Sequence, residues 1–162
     1  MHDHRKRATR VSHLLLVATL LAVVALPVPA EPPIHPPLVE VTRVVSDADG
    51  TTRFASGAVP LALADYAPPA PPVAISPHLD ATDLAFVSLA PGYFGDWHPA
   101  PRRQYGLLLG GTLEIETGDG ARKRFGSGSV FLLEDVSGRG HRTTVVGDAP
   151  ALIALVPVPA GQ

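Results

Sequence analysis

The 162-residue chain has no cysteine. That excludes disulfides, thiolate metal ligands, a cysteine nucleophile and a lipid-modified N-terminal cysteine. An excess of positive charge is lacking too, since the formal net charge is −2. The first thirty residues hold four of the thirteen basic residues and one of the fifteen acidic ones, so the remainder carries nine against fourteen. A mildly acidic body without a basic stripe argues against nucleic acid as a partner. No stretch beyond the first thirty residues has a sustained 3.6-residue apolar period, and there is no internal repeat. The body must therefore hold together through a β-rich core alone. About 130 residues suffice for that, since a domain of this size buries roughly two thirds of its unfolded surface.

Proline is abundant, at eighteen residues. The N-terminus opens with Arg5, Lys6, Arg7 and Arg10, followed by an apolar run from Leu14 to Leu26 that only Thr19 interrupts. Pro27 then breaks the run, and Val28-Pro29-Ala30 places small residues at the −3 and −1 positions of a cleavage site. This order predicts a secretory signal peptide over 1–30, export to a periplasmic or extracellular location, and a mature start at Glu31. No stable membrane span is then expected after cleavage. The alternative is an uncleaved anchor, for which Val11 to Val28 would have to stretch to the roughly 20 residues a span needs.

Residues 31–72 read as a proline-rich N-terminal segment with edge strands. Leu38 to Val45 is one strand, Asp47-Ala48-Asp49-Gly50 a turn, and Thr51 to Phe54 a short return. Ala67 to Pro72 (APPAPP) cannot be a helix or a central strand, because proline lacks the donor and fixes φ. From residue 73 to 158 short β-prone segments follow one another. They are Leu84 to Leu89, Tyr105 to Leu109, Thr112 to Thr117, Ala121 to Phe125, Val130 to Leu133, His141 to Val146 and Ala151 to Val156. Glycine-rich turns at 110–111, 118–120 and 126–128 separate several of them. Such spacing indicates an all-β sandwich or barrel.

Two stretches carry a resemblance. In GYFGDWHPAPRRQYGLLLGG, Gly92 to Gly111, five residues separate Gly92 from His98, Ala100 follows two later, Gln104 comes next, and six residues lead to Gly111. This resembles the first motif of the cupin superfamily: glycine, five residues, His-x-His, three or four residues, glutamate, six residues, glycine. Ala100 and Gln104 stand where the second histidine and the glutamate belong. The second motif is matched by Gly128 and by the ending Gly138-Arg139-Gly140-His141, with two extra residues between and no proline. The resemblance implies a single cupin-type jelly-roll β-barrel with degenerate metal-binding motifs, and often a homodimer formed through an N-terminal strand, here Leu38 to Val45. Such folds host oxygenases, isomerases, epimerases, sugar-binding domains and storage proteins, so the likeness points to no single activity.

The resemblance also implies a metal shell of three histidines and one carboxylate holding Fe, Mn, Ni or Zn. Of that shell this chain retains His98 and His141, with Gln104 as a weak substitute. Asp135 or Glu134 could supply a carboxylate, and two histidines with one carboxylate is a recognised ferrous arrangement. The other reading is a polar cluster that hydrogen-bonds within itself. Arg102 or its neighbour Arg103 could clamp an anion at the pocket rim. Either could instead form a surface ion pair with Glu114 or Glu116. Trp97, Tyr93, Phe94 and Tyr105 could stack a flat ligand or simply belong to the core. Asp135 beside His141 could orient the imidazole, or could cap its loop. His35 and His78 lie in proline-rich or loop segments, where solvation is expected.

Three functions fit these residues. One is an exported module that binds a small polar or anionic molecule through His98, Gln104, His141, Asp135 and Arg102. The second is a divergent metal-dependent enzyme of oxygenase or isomerase type. The third is a structural barrel with a vestigial pocket.

Overall fold

The computed structural model describes residues 38–159. The expected signal peptide, the following proline-rich residues and His35 lie outside the described residues. Among the described residues every regular element is a strand, and no helix is long and apolar enough to cross a membrane.

The strands are β1 (Leu38–Ser46), β2 (Thr52–Pro60), β3 (Ala62–Ala64), β4 (Val73–Ile75), β5 (Ala85–Leu89), β6 (Phe94–His98), β7 (Gln104–Gly110), β8 (Thr112–Glu116), β9 (Arg122–Gly126), β10 (Val130–Leu133), β11 (His141–Val145) and β12 (Ala151–Pro157). A six-stranded sheet runs β2-β1-β10-β7-β12-β5, and a four-stranded sheet runs β6-β11-β8-β9. β3 and β4 form a separate two-stranded ribbon. The two larger sheets face each other across one core. Val44, Leu108, Phe131, Leu133 and Ile153 come from the first, and Leu113, Ile115, Phe125 and Val145 from the second. Each fully buried side chain of this kind contributes roughly 1.5–3 kcal/mol relative to exposure. Leu132 is also buried, but it lies between Phe131 and Leu133 in β10 and so faces the opposite side of the sheet. The backbone ladders leave the two sheets separate, with no closed barrel among the described residues.

The N-terminal strands belong to the main sheet. β1 pairs antiparallel with β2 along its whole length and parallel with β10 through Thr42, Arg43 and Val44. The sequence boundary drawn at residue 72 therefore does not divide the sheet. Nor is β1 an edge, because the edges of this sheet are β2 and β5.

The chain passes from one sheet to the other at Gly111, between β7 and β8. Its φ is +76°, and a Cβ there would collide with the carbonyl oxygen of Pro150. Only glycine satisfies both the backbone angle and the close approach.

Candidate functional site

The site forms where β6 and β11 meet. His141 opens β11 and pairs across the ladder with His98, the last residue of β6, with a register shift before Thr143. Gly140 makes this possible. It has φ +76°, and a Cβ at that position would run into the carbonyl group of His98. Without a side chain the loop closes onto β6, and the two imidazoles come together with ring centroids 5.0 Å apart at 48°.

Gln104, the first residue of β7, approaches from the six-stranded sheet and is 5% exposed. His98, Gln104 and His141 all line one cavity of about 200 Å³ between the sheets. Its other walls are mostly apolar, among them Val87, Leu113, Phe131, Ile153 and Leu155, and Tyr93 and Thr143 also line it. Among the described residues no Arg, Lys, Asp or Glu side chain lines it.

Asp135 sits behind this surface. It is wholly buried, and its Oδ2 lies 2.6 Å from His141 Nδ1. Its Oδ1 is buried with no hydrogen-bond partner among the described residues. The Asp135 backbone carbonyl meanwhile accepts from the Ala100 N–H at 3.0 Å. His98 is exposed, and its Nδ1 lies 2.6 Å from the Asp96 carbonyl oxygen.

Several sequence expectations are corrected here. Arg102 is exposed and does not line the cavity. Its neighbour Arg103 instead donates to Glu134 at 3.0 Å, and Arg43 of β1 donates to the other oxygen of the same carboxylate at 2.5 Å. Glu134 is thereby turned away from the histidines. Burial raises its pKa, but the hydrogen bonds and charges of Arg43 and Arg103 together outweigh this and hold the carboxyl below its ordinary value. Glu114 and Glu116 pair with Arg122, Arg124 and Arg142, not with Arg102 or Arg103. Trp97 does not line this cavity. It precedes His98 and so faces the other side of the sheet, where the Arg139 guanidinium lies 3.9 Å and that of Arg142 5.2 Å from its ring centroid. Tyr105 faces a separate groove outside the six-stranded sheet. Of the aromatics weighed, only Tyr93 lines the cavity.

Sequence reasoning missed the Arg43–Glu134–Arg103 clamp, since residues 91 positions apart carry no local signal of contact. The Arg139–Trp97–Arg142 stack was legible in principle. Trp97 and Arg142 each neighbour a site histidine, so strand alternation puts both on the opposite face.

The donors present do not fit a shell of three histidines and one carboxylate. Ala100, in the second histidine's position, is 3% exposed and packs in the core. Glu134 is held by two arginines, and Asp135 is engaged on the far side of His141. Among the described residues no three His, Asp or Glu side chains are placed to share a metal ion.

No family model and no curated protein matches the chain. Solved structures that match it include a cupin domain. That domain, of Schizosaccharomyces pombe Cnp3, is 12% identical, with 75% of this chain and 88% of that one covered and a TM-score of 0.39. KdgF from Halomonas sp. is 17% identical over 72% of this chain and 87% of its own, with a TM-score of 0.33. A conserved protein of unknown function from Streptococcus pyogenes, SPY1581, is 20% identical over 51% and 70%, with a TM-score of 0.36. Likenesses at these scores carry no argument about activity. The all-β architecture stands on the strand pairing itself.

Proposed function

We propose that this chain is a cupin-type binding protein that takes a small molecule with an apolar body and a polar end into the cavity between its two sheets. One observation carries the reading: His98, Gln104 and His141, separated in sequence, meet in a cavity whose other walls are almost wholly apolar. Such a lining, with a few convergent polar groups, is the usual character of a ligand site. The ligand is uncharged at its buried end, because no Arg or Lys among the described residues lines the cavity and an unpaired buried charge is costly. This narrows the polar-or-anionic ligand expected from Arg102.

The test is a binding screen of small alcohols, ketones and amides, followed by the chemical shifts of the Thr143 and Leu155 amides. His98→Ala and His141→Ala should each weaken the same ligands at least tenfold. Filling the cavity with Val87→Phe should abolish binding. Hits that ignore all three substitutions would place the ligand elsewhere.

We further propose that the chain is exported, on the strength of its basic, apolar and small-residue order through Ala30. N-terminal sequencing of secreted protein should read Glu31, whereas an intact Met1 in the membrane fraction would mean an anchor. A homodimer is proposed through the outer face of the six-stranded sheet. There Val39, Val59, Leu107, Val130 and Val156 line an apolar groove of about 250 Å³. Light scattering that returns a monomer mass at micromolar concentration would refute it.

A further inference from the structure

The two site histidines are committed at the same ring nitrogen. A carbonyl oxygen only accepts, so the contact between His98 Nδ1 and Asp96 O places the proton on Nδ1. An ionised Asp135 accepts from His141 Nδ1 in the same way. A neutral imidazole donates through one nitrogen and accepts through the other. When both rings are neutral, each Nε2 is then the acceptor, on two rings that line one cavity with centroids 5.0 Å apart.

We propose that this pair of acceptors selects a compact apolar diol, and that Asp135 is the positioning residue that sets the preference by holding His141 in its Nδ1–H form. The inference rests on the reading of the cavity as a ligand site. Two hydroxyl donors on one small ring satisfy both nitrogens. A ligand that offers an ether oxygen in place of one hydroxyl sets acceptor against acceptor and leaves that nitrogen unpaired. The body is a single ring, because a dry cavity of about 150 Å³ already holds benzene and this one is about 200 Å³. Phe131, Ile153 and Leu155 supply its apolar walls.

Asp135 itself does not line the cavity. It is completely buried, yet one of its oxygens has no partner among the described residues. Buried polar atoms are nearly always paired, so an orphan calls for an explanation. Among the described residues the one side-chain hydrogen bond of the carboxylate is to the His141 ring, whose tautomer it sets.

The experiment uses the full mature chain, freed of metal by chelator and dialysis. The ligands are cyclohexane-1,2-diol, cyclohexane-1,3-diol, their monomethyl ethers and cyclohexanol, with affinities read by NMR titration. One of the diols should bind at least tenfold more tightly than its own monomethyl ether and than cyclohexanol. In Asp135→Asn the amide NH2 can donate to Nδ1, which moves the ring proton to Nε2. A hydroxyl oxygen still accepts from that N–H, and so does an ether oxygen. The diol-to-ether ratio should then collapse to within about threefold. A merely structural Asp135 would weaken both ligands alike and keep the ratio, which would overturn the proposal. Imidazole nitrogen shifts of the unsubstituted protein give a second readout that does not depend on how the variant folds. Both histidines should show a protonated Nδ1 and a bare Nε2, and the opposite tautomer at His141 would overturn the proposal. Diol and ether bound equally well would overturn it while leaving the ligand site standing. If none of the probes bound, the diol proposal would fall, while the ligand-site reading would still be decided by the wider screen of alcohols, ketones and amides; binding that appeared only on adding a divalent metal would replace the diol with the metal.

Discussion

Gln104 reaches the cavity as a neutral group beside two imidazoles, where the cupin motif that this stretch resembles carries a glutamate. The difference is directly testable. Gln104→Glu adds a carboxylate next to two uncommitted Nε2 atoms, without disturbing Ala100 in its packed position. Affinity for Zn²⁺ should rise at least tenfold over the unsubstituted protein, or about 1.4 kcal/mol, measured by competition with a chromophoric chelator. No gain would mean that the three side chains do not converge closely enough to share an ion. His98, Gln104 and His141 were singled out because they stand where the resembled motifs carry ligands, and the structure lines one cavity with all three. The direction of Arg102 was not legible, because it lies in an irregular stretch between β6 and β7 where spacing predicts no direction. Glu134 and Asp135, adjacent in sequence and both weighed as a metal carboxylate, have opposite jobs. One is pulled out by two arginines, and the other is turned in toward His141.

The bend before β11 does at the level of the element what the histidines do at the level of the residue. Gly140 and Gly120 both have positive φ, but a Cβ at Gly120 would meet nothing within 4 Å, whereas one at Gly140 would strike the His98 backbone. Gly120→Ala should cost about 1 kcal/mol, the ordinary penalty of left-handed backbone. Gly140→Ala should cost at least about 3 kcal/mol, because strain is added to displacement of a strand. Urea melts of the two variants would check this, and equal losses would show that the loop does not pack on β6 as described. Most strands were legible from β-branched and apolar alternation between glycine turns. β2 was read as four residues and is nine. Its second half, Ser56 to Pro60, has weak strand propensity, and antiparallel pairing with β1 carries it. β6 contains Gly95 and Asp96 and has equally little local signal, so the ladder to β11 holds it in place.

At the level of the whole molecule, Glu134 joins three regions. Arg43 brings in β1, Arg103 the approach to β7, and Glu134 itself follows β10 and donates its backbone N–H to the Val44 carbonyl at 2.8 Å. Its folded pKa lies below the ordinary 4.5. The stability it contributes is therefore complete above that ordinary value and is lost as pH falls through the lowered folded value. Glu134→Gln should lower Tm at neutral pH and make the further fall in Tm between about pH 5 and pH 3 shallower than in the unsubstituted protein. Parallel curves for the two proteins across that range would show that the clamp does not govern the acid limb.

Local patterns were enough to establish that the chain is all-β and where most of its turns fall, and motif spacing singled out three residues, His98, Gln104 and His141, that line one cavity. Period-two apolarity, glycine at left-handed positions and motif spacing are properties of short segments and survive without knowledge of the fold. Long-range pairing is different in kind. That β1 lies parallel to β10, that Glu134 is clamped by Arg43, that Trp97 is stacked between arginines, and that His141 Nδ1 meets Asp135 while its ring nears that of His98 all depend on which distant segments pack together. Those choices follow from burying the faces of two sheets at once, a balance summed over the whole core that no single segment records.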